Sequence, residues 1–213
     1  MVLGTTHRGH SMTGQKTTPG TFTTNGLNHL ALVSSDMART VDFYEGVLGF
    51  PLVMTIDMGG GYGQHFFFDI GGGAKIAFFY LPGSPPAAPG IASPSVLPGR
   101  GDCRTAIGSM NHVAIDVSPD DIDEYRERLI AAGVDCSPIM NHDHSPRGYS
   151  EDVHDGVFVR SIYFFDPDGI NLEFAAWTRA LRPSDVSRPA FASSTSASST
   201  SASAVSSATA SNN

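Results

Sequence analysis

At 213 residues the chain holds one ordinary domain or two small ones, with enough material for a real core. A formal charge of −8, from 13 Lys and Arg against 21 Asp and Glu with no basic cluster, excludes a phosphate-binding nucleic-acid surface. No apolar run approaches the roughly 20 residues that a membrane helix needs, so no membrane partner is expected.

Residues 1–24 are polar and rich in Gly and Thr, and are expected to be a disordered arm. They contain no apolar stretch of the kind a signal peptide carries, which gives a cytoplasmic protein as the expectation. A first module follows over residues 25–81. It opens with the β-type run Asn28-His29-Leu30-Ala31-Leu32. A helix then starts at Ser35 or Asp36, carries Met37, Val41, Tyr44 and Leu48 at three- and four-residue steps, and stops at Gly49. Three strand-like runs complete the module: Phe50 to Ile56, His65 to Ile70 and Lys75 to Leu81. The glycine runs at 59–61 and 71–73 lead into no helix, so they read as turns and not as phosphate loops.

A Pro/Gly-rich connector, residues 82–107, is expected to be a surface loop or a lid. The second module, 108–178, repeats the first. Asn111-His112-Val113-Ala114-Ile115 echoes the opening run. Ser118 as N-cap and Pro119 at the first helical position start a helix with the stripe Ile122, Tyr125, Leu129, Ala132, ended by Gly133. Strands are expected at Cys136 to Met140, Val157 to Phe165 and Ile170 to Trp177. Residues 183–213, mostly Ser, Ala and Thr, should be a disordered tail. Cys103 and Cys136 lack metal-type spacing and read as reduced thiols. The fold class is α+β: two βαβββ modules packed as one domain, 25–182, with a curved mixed sheet around a central metal cleft.

Within the last two strands, Asp166-Pro167-Asp168-Gly169 spells a type I turn, so Ile162 to Phe165 and Ile170 to Phe174 form a hairpin. A three-residue loop places Tyr163 opposite Glu173 on one face. A carboxylate between Leu172 and Phe174 needs a cation, a donor or water. His29 and His112 open equivalent strands, and Ala31 and Ala114 leave room beside them. If the two halves pair about a pseudo-twofold, both histidines and Glu173 share one cleft. Two His and one carboxylate with open positions is the ligand set of non-haem Fe(II) oxygenases.

The duplicated NHLAL and NHVAI runs within a βαβββ repeat resemble the vicinal oxygen chelate superfamily of glyoxalases, bleomycin resistance proteins and extradiol dioxygenases. The likeness spans Gly26 to Trp177. His154, Ile162-Tyr163, Asp166-Pro167, Gly169 and Glu173 resemble in spacing the signature of type I extradiol ring-cleaving dioxygenases; Asp152 departs from it. The resemblance implies that His29, His112 and Glu173 bind a divalent metal, Fe(II) first and Mn(II) second, while His154 and Tyr163 contact substrate oxygens. Aligning the last strands puts Ala77 where Glu173 stands, so the first module offers no fourth ligand. The second-shell histidine of the ring-cleaving enzymes is replaced by Gly73 or Ala74, with His65 on the neighbouring strand as a substitute base. The leading expectation is a dioxygenase acting on a small aromatic diol and dioxygen. The alternatives are a Mn, Ni or Zn-dependent isomerase, epimerase, lyase or thiol transferase, and a metal-free binding or resistance protein. The halves pair within one chain or are exchanged between the two chains of a homodimer.

Overall fold

The computed structural model describes residues 24–186 together with 189 and 190. Almost all of the expected disordered arm and tail lies outside the described residues. From Leu181 the chain forms a unit of its own, of which the described part is one 3-10 turn, Pro183–Asp185, where the Arg182 backbone N–H donates to Asp185 at 2.7 Å. No helix among the described residues is long and apolar enough to cross a membrane.

Strand β1 (His29–Val33) leads into helix α1 (Met37–Val41), capped by the Asp36 carboxylate, which accepts from the Arg39 N–H at 3.1 Å. The helix widens into a π-helical turn over Asp42–Val47, and this turn sets Phe43 and Tyr44 into the core. Strands β2 (Leu52–Asp57), β3 (Gln64–Asp69) and β4 (Lys75–Tyr80) follow. They form a sheet in the order β1-β4-β3-β2, with β1 parallel to β4.

The second half repeats this plan with β5 (Val113–Asp116), α2 (Ile122–Ala131), β6 (Met140–His142), a short β7 (Tyr149–Ser150), β8 (Val159–Phe165) and β9 (Asn171–Trp177). Its sheet order is β5-β9-β8-β6-β7, with β5 parallel to β9. The βαβββ repeat is therefore present, with β7 added. Helix α2 begins later than its Ser118-Pro119 signal: the Ser118 hydroxyl accepts from the Asp120 N–H at 3.2 Å and closes a turn ahead of the helix. Cys136 makes only an isolated bridge to Phe164.

The expected α+β class with two βαβββ modules is present, and the curved mixed sheet is divided into two, one per module. The reason lies in how their apolar faces are used. Met37, Tyr44, Phe68 and Phe78 from the first half share one buried cluster with Ile122, Leu129, Phe164 and Leu172 from the second. Each sheet thus gives one face to a common core; the opposite face is exposed along β1, and on the second sheet it is covered around Ser161, Tyr163 and Glu173, where Leu97 packs. His29, Ala31 and Val33 are all exposed on that outer face of β1.

The β8–β9 hairpin has the expected register, with Tyr163 opposite Glu173 and Phe164 opposite Leu172. Gly169 at φ +82° supplies the left-handed residue that closes the loop. This loop also fastens the halves together. Asp168 receives the Ser35 N–H at 3.0 Å and an ion pair from Arg39 at 2.6 Å, and the Tyr44 hydroxyl donates to Asp166 at 3.2 Å. The connector is anchored and not a free lid, because Leu97, 2% exposed, packs on Met140 and Tyr163.

Burial pushes the Asp166 carboxyl up to about 6, against the pull of backbone N–H donors from Ile170 and Asp168. Since this pKa is raised by folding, the group's contribution to stability is complete below about pH 4 and is lost as pH rises through about 6. Asp166→Asn carries no charge at any pH. In urea unfolding followed by circular dichroism, its stability relative to wild type should rise by up to about 3 kcal/mol between acid and neutral pH. A difference that does not change with pH would show that Asp166 is not the titrating group.

Candidate metal centre

The outer face of the second sheet carries Glu173 in mid-strand on β9, paired with Ala114 of β5 on one side and Tyr163 of β8 on the other. His112 stands one residue before β5. The Asn111 amide is oriented by its Nδ2–H donating to the Cys103 carbonyl at 2.8 Å. Asn111 Oδ1 therefore faces His112, and the His112 Nδ1–H donates to it at 2.9 Å. In the uncharged ring this leaves the lone pair on Nε2. That nitrogen lies 3.0 Å from Glu173 Oε2.

Two acceptors at 3.0 Å repel unless a cation, either a proton or a metal ion, stands with them. Two ligands at about 2.1 Å from one ion and at right angles are about 3.0 Å apart, so this pair fits adjacent positions around a divalent metal. Glu173 Oε1 is held by the Ser161 hydroxyl at 2.5 Å. Burial pushes the Glu173 carboxyl up, but a positive charge shared with His112 and the hydrogen bond from Ser161 outweigh it and leave the group below its ordinary value.

The outer face of the first sheet carries the other half of the expected ligand set. His29 repeats the arrangement of His112, with Nδ1 bonded to Asn28 Oδ1 at 2.7 Å. Its ring lies edge-on to Phe67, with centroids 5.4 Å apart. His65 flanks Phe67 from the other side at 4.3 Å, stacks on Phe79 and donates its Nδ1–H to the Phe78 carbonyl at 3.0 Å, which leaves its own Nε2 bare. Ala31 pairs with Ala77 in the register by which Ala114 pairs with Glu173, so the first module has a methyl where the second has a carboxylate.

These two faces do not meet within one chain. β1 and β5 belong to different sheets, contrary to the expected pairing of leading strands. Among the described residues, no three His, Cys, Asp or Glu side chains lie together as a metal-holding group. The candidate residues therefore fall into two separate groups: His112 with Glu173, and His29 and His65, each against Phe67.

The loop histidines depart from expectation in both directions. His154, expected to touch substrate, has both nitrogens engaged locally. The Gly156 N–H donates to Nδ1 at 3.1 Å, so Nε2 carries the proton and donates to Asp143 at 3.0 Å. The Ser145 and Ser150 hydrogen bonds, with a smaller share from His154, hold the Asp143 carboxyl far below the usual range. His142, which reads in the sequence as a solvated loop residue, lies on β6. Its Nδ1–H donates to the Gly148 carbonyl at 3.3 Å, and the Tyr163 hydroxyl points at its Nε2 from 3.4 Å. Burial first, and the Glu173 charge second, push the Tyr163 phenol well up, so it is a proton-bearing donor beside Glu173. The signal for His142 was its two-residue offset from Met140, which places both on the Tyr163 face.

Residues 26–174 match the family described as the glyoxalase/bleomycin resistance protein/dioxygenase superfamily. Metallothiol transferase FosB of Shouchella clausii (strain KSM-K16) is 28% identical over 167 residues, covering 78% of this chain and 90% of that protein. Among solved structures, a glyoxalase family protein from Enterococcus faecalis is 22% identical, with a TM-score of 0.47 over 70% of this chain and 95% of that one. The fosfomycin resistance protein FosX from Listeria monocytogenes, complexed with Mn(II) and sulfate, is 23% identical, with a TM-score of 0.45 over 72% of this chain and 93% of that one. With a match that runs from just before β1 into β9, the chain belongs to the glyoxalase/bleomycin resistance protein/dioxygenase superfamily.

Proposed function

We propose that this protein is a metal-dependent transferase that joins a small thiol to a small electrophile, such as an epoxide, at a site shared between two copies of the chain. The observation that carries this reading is the bare His112 nitrogen facing the Glu173 carboxylate at 3.0 Å, a donor pair that calls for a cation. The likeness over 90% of a metallothiol transferase supports the reaction type. A divalent ion held there, Mn(II) or Zn(II) for a nitrogen and oxygen donor set, would act as a Lewis acid on the electrophile's oxygen.

The remaining work falls to the chain's own groups. The third ligand is His29 of a second copy, a reading supported by the placement of β1 and β9 in different sheets and by the lack of any group of three His, Cys, Asp or Glu side chains among the described residues. The exposed face of β1 is thereby used. In the transfer itself a sulfur–carbon bond forms, a carbon–oxygen bond of the electrophile breaks, and the thiol's proton ends on the released oxygen. His65, with its free Nε2 on the same face as His29, is the group to take the thiol's proton. Tyr163 donates to oxygen beside Glu173. The ring-cleaving reading, with Fe(II), dioxygen and an aromatic diol, needs His154 to face the substrate, and both of its ring nitrogens are committed elsewhere.

Three measurements test this. In calorimetry the metal-stripped protein should bind Mn(II), Glu173→Gln should abolish binding, and Asn111→Leu, which frees the His112 ring, should weaken it about 10- to 100-fold. Thiol consumption with an epoxide panel should stop when metal is chelated; turnover that persists without metal removes the reading. Finally, His29→Ala and His112→Ala chains, each inactive alone, should regain about a quarter of wild-type activity when refolded together, because half the dimers then contain one intact site. No recovery would place the complete site within one chain.

A further inference from the structure

Asn171 opens β9 and is fully buried, yet neither Nδ2 nor Oδ1 has a hydrogen-bond partner among the described residues. This is unusual for the protein. The other buried polar side chains near it are engaged: Ser161 and Glu173 bond each other, and Asp166 takes two backbone N–H groups and the Tyr44 hydroxyl. A buried carboxamide that forgoes both its donors and its acceptor is destabilising, and folded proteins keep few such groups without a use for them.

Its position supplies the use. Strand alternation puts Asn171 on the same face as Glu173, two residues on. The parallel β5–β9 register pairs Val113 with Leu172 and Ala114 with Glu173, so His112, one step earlier, lies alongside Asn171. Across the hairpin it is paired with Phe165, which offers no polar atom. The unpaired amide thus stands next to the His112–Glu173 pair, on its own face of the sheet.

We propose that Asn171 is a substrate-binding residue whose amide is held unpaired for a ligand group that both donates and accepts a hydrogen bond, such as the amide of an amino-acid-derived thiol. A carboxamide can accept from such a group's N–H through Oδ1 or donate to its carbonyl through Nδ2–H, and so fix its orientation beside His112 and Glu173. The same pairing selects against thiols that lack it, because they leave the amide unsatisfied. This inference rests on the thiol-transfer reading for the identity of the ligand, but not for the claim that the amide is unpaired.

The experiment uses the full chain, with N-acetylcysteine as the thiol probe and ethanethiol as a thiol with no second hydrogen-bonding group. Asn171→Leu and Asn171→Met keep the number of side-chain heavy atoms and remove both polar atoms. Both should unfold in urea at a midpoint equal to or above that of wild type, since nothing is broken in the unliganded protein. Their KM for N-acetylcysteine should rise about tenfold or more with kcat changed less than about threefold, while KM for ethanethiol stays put. In wild type, the Asn171 side-chain NH2 resonances should shift on addition of N-acetylcysteine. If both variants unfold at a lower midpoint, the amide is satisfied in the free protein and the proposal falls. Equal KM changes for the two thiols overturn it as well. If wild type consumes neither thiol, the thiol-transfer reading fails on its own, and the NH2 resonances then decide: a shift with N-acetylcysteine upholds Asn171 as a binding residue, and unmoved resonances overturn it.

Discussion

The second module is built around an electrostatic conflict. A lone-pair nitrogen and a buried carboxylate cannot rest 3.0 Å apart without a positive charge, and every neighbour acts to keep them there. The Cys103 carbonyl turns the Asn111 amide, that amide turns the His112 ring, and Ser161 holds the free oxygen of Glu173. The β8–β9 hairpin fixes Glu173 between Ala114 and Tyr163, where the small residue leaves space and the large one supplies a hydroxyl. Without a proton or metal ion between them the repulsion stays, so the pair favours positive charge before any shape selection begins.

The use of the core explains why only half the ligand set is assembled. Helices and inner sheet faces from both halves bury Tyr44, Phe78, Phe164 and Leu172 in one cluster. Bringing His29 to His112 within the chain would dismantle that cluster, and the apolar surface lost would far exceed what one metal–nitrogen bond returns. In the proposed two-copy site, both cores would stay closed.

Much of this was legible in the residues. The repeat of Asn-His followed by alternating apolar residues located β1 and β5, and Asp-Pro-Asp-Gly fixed the hairpin register to the residue, because turn chemistry constrains loop length. The alignment of Ala77 with Glu173 holds in the strand pairing. What local pattern could not convey was which sheet each strand joins. Alternation shows that His29 and Leu30 face opposite ways but not what each face meets, so one sheet and two sheets read alike. The surroundings of His142 and His154 were not legible for a similar reason. A loop histidine's partners, here Gly156 and Asp143 for one and Tyr163 for the other, are set by long-range packing and leave no periodic trace.

The turn at Asp166 to Gly169 belongs to both halves at once. It is the bend of the strand pair that carries Glu173, and its two carboxylates are gripped by Ser35, Arg39 and Tyr44 from the opposite module. The grip lies at the end of β9 from which Glu173 is only a few residues removed. A tilt of the first module therefore acts on that strand as on a short lever arm, and the spacing of the donor pair is mechanically tied to how the two halves of the chain are seated.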